Sequence, residues 1–298
     1  MPSIQSKFLN IILKHSNIKS SFDRAFDSGK FGKGNICEPP EKLYSCLNIE
    51  KMQSEGRNVF ILKPKNKPTK THILYLHGGG YIYNFNKIHW RFLNTLVQTL
   101  NCTIIAPDYP LAPNYTYKDS FEMLIPIYKK LIDEVGEKNL ILMGDSSGGG
   151  FALALAQKMK KENNNTANQI ILLSPWLDIS LKNKDISSID SKDPILSISG
   201  LKRAGKAYSG SSSPDNYLLS PINGEIEGLG KISIFIGTND ILEADARKFK
   251  TIAQERNISI NYFEYKDMFH VWPFFNLPES KKALGQIINL IFEINQKN

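Results

Sequence analysis

Short apolar runs alternate with longer helical stretches from Val59 almost to the end of the chain, and this alternation limits the fold more than any other feature. Such a pattern is typical of βαβ units, in which a helix connects two parallel strands. The runs Ile73–Leu76 and Leu140–Met143 are apolar throughout, as expected for strands that helices cover on both faces. The sequence therefore predicts an α/β fold with a mostly parallel central sheet flanked by helices.

The same pattern gives approximate bounds for each strand and helix. The predicted strands are Val59–Leu62, Thr71–Leu76, Cys102–Ala106, Leu140–Met143, Ile170–Leu173, Ile232–Ile236 and Ile258–Tyr265. The predicted helices are Asn86–Leu100, Ser120–Val135, Gly149–Lys161, Leu242–Gln254 and Glu279–Gln296.

Two segments break the alternation. Residues 1–56 are polar with mixed helical signals, and the stretch from 179 to about 221 is rich in Ser, Asp, Lys and Gly without a clear strand. In an open α/β sheet, ligands bind beyond the carboxyl ends of the strands, so insertions there can cover a site. We therefore predict an N-terminal cap segment, residues 1–56, outside the sheet. The α/β domain, residues 57–298, then carries a cap insertion after Asp178, at about 179–221.

Charge and cysteine content argue against several classes of function. The formal net charge is +8, but the lysines are scattered and no dense basic block interleaves with aromatic residues, so we expect no nucleic-acid partner. Cys37, Cys46 and Cys102 cannot all pair and lack metal-ligand spacing, which favours a reducing compartment. No apolar stretch reaches the roughly 18 residues of a membrane span. We expect a cytoplasmic protein without stable membrane insertion.

The strongest local motif is Gly144-Asp145-Ser146-Ser147-Gly148, which lies between a predicted strand and a predicted helix. A nucleophile on a sharp strand-to-helix turn needs small neighbours, and glycine fits two positions before and after it. A bare G-x-S-x-G occurs by chance in roughly one chain in ten of this length. The strand–turn–helix context makes the motif more specific, and it predicts Ser146 as a nucleophile.

A run of three glycines, Gly78 to Gly80, follows His77 at the end of another predicted strand. Glycines allow backbone amides to approach a ligand closely, and a developing oxyanion needs such donors. A flexible turn and a phosphate cradle are the alternatives, but the Lys-Ser/Thr of a P-loop does not follow. We predict an oxyanion hole formed by the N–H groups of Gly78, Gly79 and Ser147.

The general base must be one of five histidines. His15 lies in the N-terminal segment, His72 begins a strand, His77 belongs to the glycine loop and His89 lies in a helical stretch. His270 follows the last predicted strand. In serine enzymes with this elbow the chain order is Ser, acid, His, so the order favours His270.

The acid that orients the histidine is expected between Ser146 and His270, after the penultimate strand. Asp240 directly follows a predicted strand and turn, and it is our prediction; Asp245, in the next helix, is the distant second candidate. Asp267 is too close to His270 in sequence. The remaining aspartates lie in or beside the predicted insertion: Asp178, Asp185, Asp190, Asp193 and Asp215.

Taken together, these motifs resemble the hormone-sensitive-lipase-like family of bacterial esterases within the α/β hydrolases, over roughly residues 55–290. The resemblance rests on His77–Gly80, Asp108–Pro113, Gly144–Gly149, Ser174–Asp178, Asp240–Leu242 and His270, which occur in the family's order. The chain departs from the family at Pro110 and Asn114, where Arg and Glu are usual, and at Ser147, where alanine is common.

The resemblance implies an α/β-hydrolase fold whose catalytic domain is residues 57–298. It also implies a serine carboxylesterase with no metal or organic cofactor. Because residues 1–56 and about 179–221 are expected to cover the site, we predict that the enzyme acts on short-to-medium acyl esters. Tyr81 and Trp176 are the predicted substrate-pocket residues. Amidase, formamidase and deacetylase activities would use the same three residues, and a non-catalytic ligand-binding homologue usually lacks one of them. The expected partner is a small-molecule ester, and the sequence leaves the oligomeric state open.

Overall fold

The computed structural model describes residues 1–31 and 37–295, and an eight-stranded sheet forms the centre of this part of the chain. The strands are β1 (Leu47–Ser54), β2 (Arg57–Pro64), β3 (His72–Leu76), β4 (Thr103–Pro107), β5 (Leu140–Asp145), β6 (Gln169–Leu173), β7 (Lys231–Gly237) and β8 (Asn261–Tyr265). Their order is β1-β2-β4-β3-β5-β6-β7-β8. Strands β3 to β8 run parallel, whereas β1 and β2 pair antiparallel with their neighbours.

Helices flank the sheet on both faces. They are α1 (Ile4–His15), α2 (Ser21–Ser28), α3 (Glu41–Cys46), α4 (Lys87–Leu100), α5 (Tyr117–Val135), α6 (Ser146–Lys161), α7 (Ile186–Asp190), α8 (Ile198–Ser209), α9 (Glu243–Glu255) and α10 (Pro278–Asn295). Side chains of α5, α6, α8 and α9 belong to one apolar core, and those of α4 and α10 to the other. Within the described residues, none of these helices has the length and apolar character needed to cross a membrane.

Alternate side chains of the central strands enter the two cores. In β3, Leu74 and Leu76 pack on one side of the sheet, while Ile73 and Tyr75 pack on the other. All four are fully buried, because each face of the strand is covered by helices. This double burial explains why the strand sequences are apolar without alternation.

All the predicted strands and helices are present with bounds close to those expected, and the predicted α/β-hydrolase fold is confirmed. The last helix was expected to reach Gln296, which lies outside the described residues, as do residues 32–36 of the predicted N-terminal segment.

One part of the N-terminal prediction is wrong. Residues 47–54 form β1 and pair with β2 at the edge of the sheet, although residues 1–56 were expected outside it. Most side chains of β1 are exposed or half-buried, because an edge strand packs on few neighbours. Its sequence, LNIEKMQS, is consequently too polar to stand out as an apolar run.

Helix α2 of the N-terminal segment contacts the insertion between β6 and β7. On α2, Asp23 accepts hydrogen bonds from the hydroxyls of Ser197 at 2.8 Å and Ser199 at 3.0 Å, and Asp27 pairs with Arg203 at 2.6 Å. Residues 1–31 and the insertion that begins at residue 179 therefore meet above the sheet, as two halves of a cap would.

Candidate active site

Ser146 lies at the turn between β5 and α6, in a backbone conformation that side chains rarely adopt, with φ of 52°. The turn is tight enough that a Cβ atom at Gly144 would overlap the carbonyl oxygen of Gly148. A Cβ atom at Gly148 would overlap the carbonyl oxygen of Leu76 on β3. Glycine is therefore required on both sides of the serine, and the turn presents its hydroxyl at the carboxyl end of the sheet.

Three residues predicted from distant parts of the chain meet at this turn. His270 Nε2 lies 2.9 Å from Ser146 Oγ, and His270 Nδ1 lies 2.8 Å from Asp240 Oδ2. Asp240 follows β7, and its second carboxylate oxygen accepts the amide of Leu242 at 3.0 Å. An Nδ1–H bond to Asp240 leaves Nε2 unprotonated and able to accept the serine proton.

The electrostatic surroundings favour a protonated His270. Burial acts to lower the pKa of His270, but the charge and hydrogen bond of Asp240, with the charges of Asp193 and Asp145, hold it above the ordinary value of 6.5. An imidazolium that forms during a reaction is therefore stabilised at this position.

Of the three N–H groups predicted to form the oxyanion hole, one is already hydrogen-bonded within the protein. The Gly78 N–H donates to Asp145 Oδ1 at 2.9 Å, so this amide is already paired and the prediction of Gly78 as an oxyanion donor is wrong. For the N–H groups of Gly79 and Ser147, no acceptor occurs among residues 1–31 and 37–295. Gly79 also lines the cavity that contains Ser146.

Asp145 is buried next to the serine and collects several donors. Besides Gly78, it accepts the Tyr75 hydroxyl at 2.5 Å, and His89 Nε2 lies 3.3 Å from its Oδ2. Burial acts to raise the pKa of Asp145, but the contacts with His89, Tyr75 and Gly78 hold it below its ordinary value. Its aspartate form is therefore a fixed charge behind the glycine loop.

Two of the other histidines, His77 and His89, have structural roles. His89 Nδ1 accepts the amide of Asn86 at 3.1 Å within an N-terminal capping box, so its Nε2 carries the proton given to Asp145. His77 stacks on Tyr109, and burial together with His89 lowers the pKa of His77 to about 3. The sequence analysis did not predict the His89–Asp145 pair, because the two residues are 56 positions apart and no local pattern joins them.

A cavity of about 540 Å³ contains Ser146 and His270. Both predicted cap segments contribute to its wall, through Leu13 to Phe22 at the N-terminus and through Ile195 and Leu196 in the insertion. The full lining is Leu13, Ile18, Ser21, Phe22, Gly79, Tyr83, Asn84, Asn86, Ile88, His89, Asp145, Ser146, Ile195, Leu196, His270, Val271, Phe274 and Phe275. The wall is largely apolar.

Tyr81 and Trp176, predicted as substrate-pocket residues, do not line this cavity. Both are fully buried, and Tyr81 stacks on Tyr208 with ring centroids 3.7 Å apart. The Trp176 indole N–H donates to the carbonyl of Asp178 at 2.9 Å. These aromatic side chains pack in the core beside α8 of the insertion, so that prediction is wrong.

Asp193 lies near His270, although the sequence analysis assigned it no role and grouped it with the aspartates of the predicted insertion. Its Oδ1 accepts the amides of Ile195 at 2.8 Å and Leu196 at 2.9 Å, and its Oδ2 accepts the amide of Ile241 at 2.9 Å. Burial, with the charge of Asp240, raises the pKa of Asp193 to about 7. The local signal was that an aspartate side chain often accepts the backbone amide two residues later and so stabilises a turn.

Asp245, the second candidate for the acid, is directed elsewhere. Its Oδ1 accepts the side-chain amide of Asn183 at 3.0 Å, so it ties α9 to the insertion.

Residues 73–274 match the family described as alpha/beta hydrolase fold, which is more than half of the chain. The chain belongs to this family. It is 28% identical to an esterase of Acinetobacter venetianus over 72% of each chain. It is 25% identical to an acetyl-hydrolase of Streptomyces hygroscopicus, over 87% of this chain and 85% of that one.

A solved structure of a hormone-sensitive lipase from a metagenome library shares the fold with a TM-score of 0.84 and 22% identity. It covers 97% of this chain and 98% of that one. These findings confirm the predicted resemblance to the hormone-sensitive-lipase-like family and the predicted enzyme class, a carboxylic ester hydrolase.

Proposed function

We propose that this α/β hydrolase is a serine carboxylesterase for short-to-medium acyl esters, with Ser146, His270 and Asp240 as its catalytic triad. The observation that carries the proposal is the unbroken hydrogen-bond chain from Asp240 through His270 to Ser146, at the wall of a largely apolar cavity.

In the first half of the reaction, Ser146 Oγ attacks the ester carbonyl carbon while His270 Nε2 accepts the hydroxyl proton. The oxyanion of the tetrahedral intermediate is stabilised by the N–H groups of Gly79 and Ser147, which have no acceptor in the described part of the chain. Collapse of the intermediate breaks the C–O bond, and His270 returns its proton to the leaving alcohol.

In the second half, water attacks the acyl-enzyme while His270 again accepts the proton. Asp240 keeps the Nδ1–H tautomer of His270 throughout and stabilises the imidazolium. The carboxylic acid leaves, and Ser146 regains its proton.

The size of the cavity supports a limit on acyl length. A volume of about 540 Å³ is within the range of small-molecule pockets, roughly 300–1,000 Å³. Each methylene that fits should contribute about 0.8 kcal/mol, until the wall formed by the N-terminal segment and the insertion is reached. In this proposal those two segments act as the cap.

The test is a series of p-nitrophenyl esters of increasing acyl length, with matched anilides assayed beside them. We expect kcat/KM to rise over the first few carbons and then fall, and esters to be cleaved faster than anilides. Preference for long-chain triglyceride emulsions would contradict the length limit, and preference for anilides would point to an amidase.

A further inference from the structure

The N-terminal helix α1 has an apolar face that nothing in the described chain covers. Among the described residues, nine large hydrophobic side chains are exposed, and six of them lie within residues 1–18. Four of the six, Ile4, Phe8, Ile11 and Ile12, recur at helical spacing on α1 and form what we call the outer stripe. Such a concentration of apolar surface marks an interaction site.

The opposite face of α1 holds the helix against the protein. Ser6 and Leu13 are buried, and Ser3 Oγ donates to Glu279 Oε2 on α10 at 2.9 Å. The outer stripe therefore lies on the far side of a helix that is already anchored, and no packing among residues 1–31 and 37–295 accounts for it.

The charge around the outer stripe is positive. Residues 1–22 contain Lys7, Lys14 and Lys19 but no Asp or Glu, and both Lys7 and Lys14 are exposed. On α10, the turn that carries Glu279 also exposes Lys281 and Lys282, while Glu279 itself accepts hydrogen bonds from α1. A partner for this surface must supply apolar contact and negative charge together.

We propose that the outer stripe is a docking face for an anionic lipid surface. An amphipathic helix with apolar residues on one face and lysines beside them lies in the head-group plane of such a surface. Lysine side chains are attracted by the negative potential of the lipid, and this attraction weakens as salt screens it.

A second copy of the chain fits the outer stripe less well. A helix of 12 residues is about 18 Å long, so its face offers a small fraction of the roughly 800 Å² that each partner of a stable complex buries. Packing α1 against another α1 would also bring lysines together in a segment that holds no acid to compensate them.

Docking would hold one wall of the cavity at the lipid surface. Leu13 and Ile18, which line the cavity, belong to the same N-terminal segment as the outer stripe. An ester dissolved in the interface would then reach the cavity without passing through bulk water. The docking itself does not depend on the catalytic roles given above, and Ser146→Ala protein should bind lipid as the wild type does.

The test is sedimentation of the full chain with vesicles of phosphatidylcholine alone, or of phosphatidylcholine mixed with phosphatidylglycerol. We expect binding to the anionic vesicles at least about tenfold stronger than to the neutral ones, and loss of this difference at high salt. The double variants Phe8→Ser/Ile11→Ser and Lys7→Glu/Lys14→Glu should each weaken binding by at least about tenfold.

The matched control is Phe292→Ser, which removes an exposed aromatic side chain about 20 Å along α10 from Glu279. It should bind vesicles as the wild type does. Phe292→Ser and the two double variants of α1 should hydrolyse a soluble ester at wild-type rates. Absence of binding, or equal binding to neutral and anionic vesicles, would overturn the proposal. So would a dimer in sedimentation equilibrium that Phe8→Ser/Ile11→Ser converts to a monomer, since a second copy would then cover the stripe.

Discussion

Two buried histidine–carboxylate pairs lie beside the same serine, and they differ in the group that the second ring nitrogen of each histidine contacts. His270 Nδ1 donates to Asp240, and His270 Nε2 lies 2.9 Å from Ser146 Oγ. His89 Nε2 donates to Asp145, while His89 Nδ1 accepts the backbone N–H of Asn86 at the start of its own helix.

In the proposed mechanism, this difference separates the general base from a residue that only holds the structure. Both histidines are buried, both touch a carboxylate and both line the cavity. Only His270 has its second nitrogen directed at a group that could react. The pair formed by His89 instead fixes Asp145, which in turn fixes Gly78 and the backbone of the glycine loop.

The largest expected effect is the loss of kcat when Ser146 or His270 is replaced, compared with the replacement of His89. Ser146→Ala and His270→Ala should each lower kcat by on the order of 10⁶, because each removes a group that acts in the bond-making step. His89→Ala should lower kcat far less, because it contacts no reacting atom. Initial rates on p-nitrophenyl butyrate measure all three. A His89→Ala loss equal to that of His270→Ala would contradict the assignment.

The next effect compares the two carboxylates. Asp240→Asn should lower kcat by roughly 10⁴, because the amide favours the wrong tautomer of His270. Asp145→Asn should cost about 10- to 100-fold, since its NH₂ group would face the N–H of His89 and loosen the glycine loop. Asp245→Asn, which removes a carboxylate bonded to Asn183, is the control and should be nearly neutral for kcat. A larger loss in Asp145→Asn than in Asp240→Asn would reverse the two roles.

The smallest effect is a displacement of the pH profile. The pKa of His270 is raised, so activity that needs the neutral ring falls as pH drops through a value above 6.5. The charge of Asp193 contributes to that rise, so Asp193→Asn should move the acidic limb of kcat/KM to lower pH. Purely structural damage would lower the whole profile without moving it.

The control for this prediction is Asp185→Asn, an exposed aspartate in the same insertion. Its acidic limb should coincide with that of the wild type. A limb that stays in place in Asp193→Asn would show that this carboxylate influences His270 only through packing.

Much of the fold could be read from the sequence because its signals are local. Strands buried on both faces must be apolar throughout, and the elbow at Ser146 tolerates only glycine at Gly144 and Gly148. The order of Ser146, Asp240 and His270 along the chain follows from the order in which the strands are connected. At Gly144 the physical constraint comes from Gly148 in the same turn, and at Gly148 it comes from Leu76 on the adjacent strand β3.

The remaining features depended on contacts between distant segments, which only the tertiary structure decided. Gly78 is 67 residues from Asp145, and nothing beside Gly78 in the sequence indicates that a carboxylate will take its amide. Asp193 reaches Ile241 across 48 residues, because the insertion folds back over the end of β7. Tyr81 and Trp176 were predicted as pocket residues, but Tyr81 stacks on both Trp176 and Tyr208 of α8, and both rings are buried. A hydrogen-bond partner or a covering side chain is chosen by which segments the sheet brings together, and that choice is made only in three dimensions.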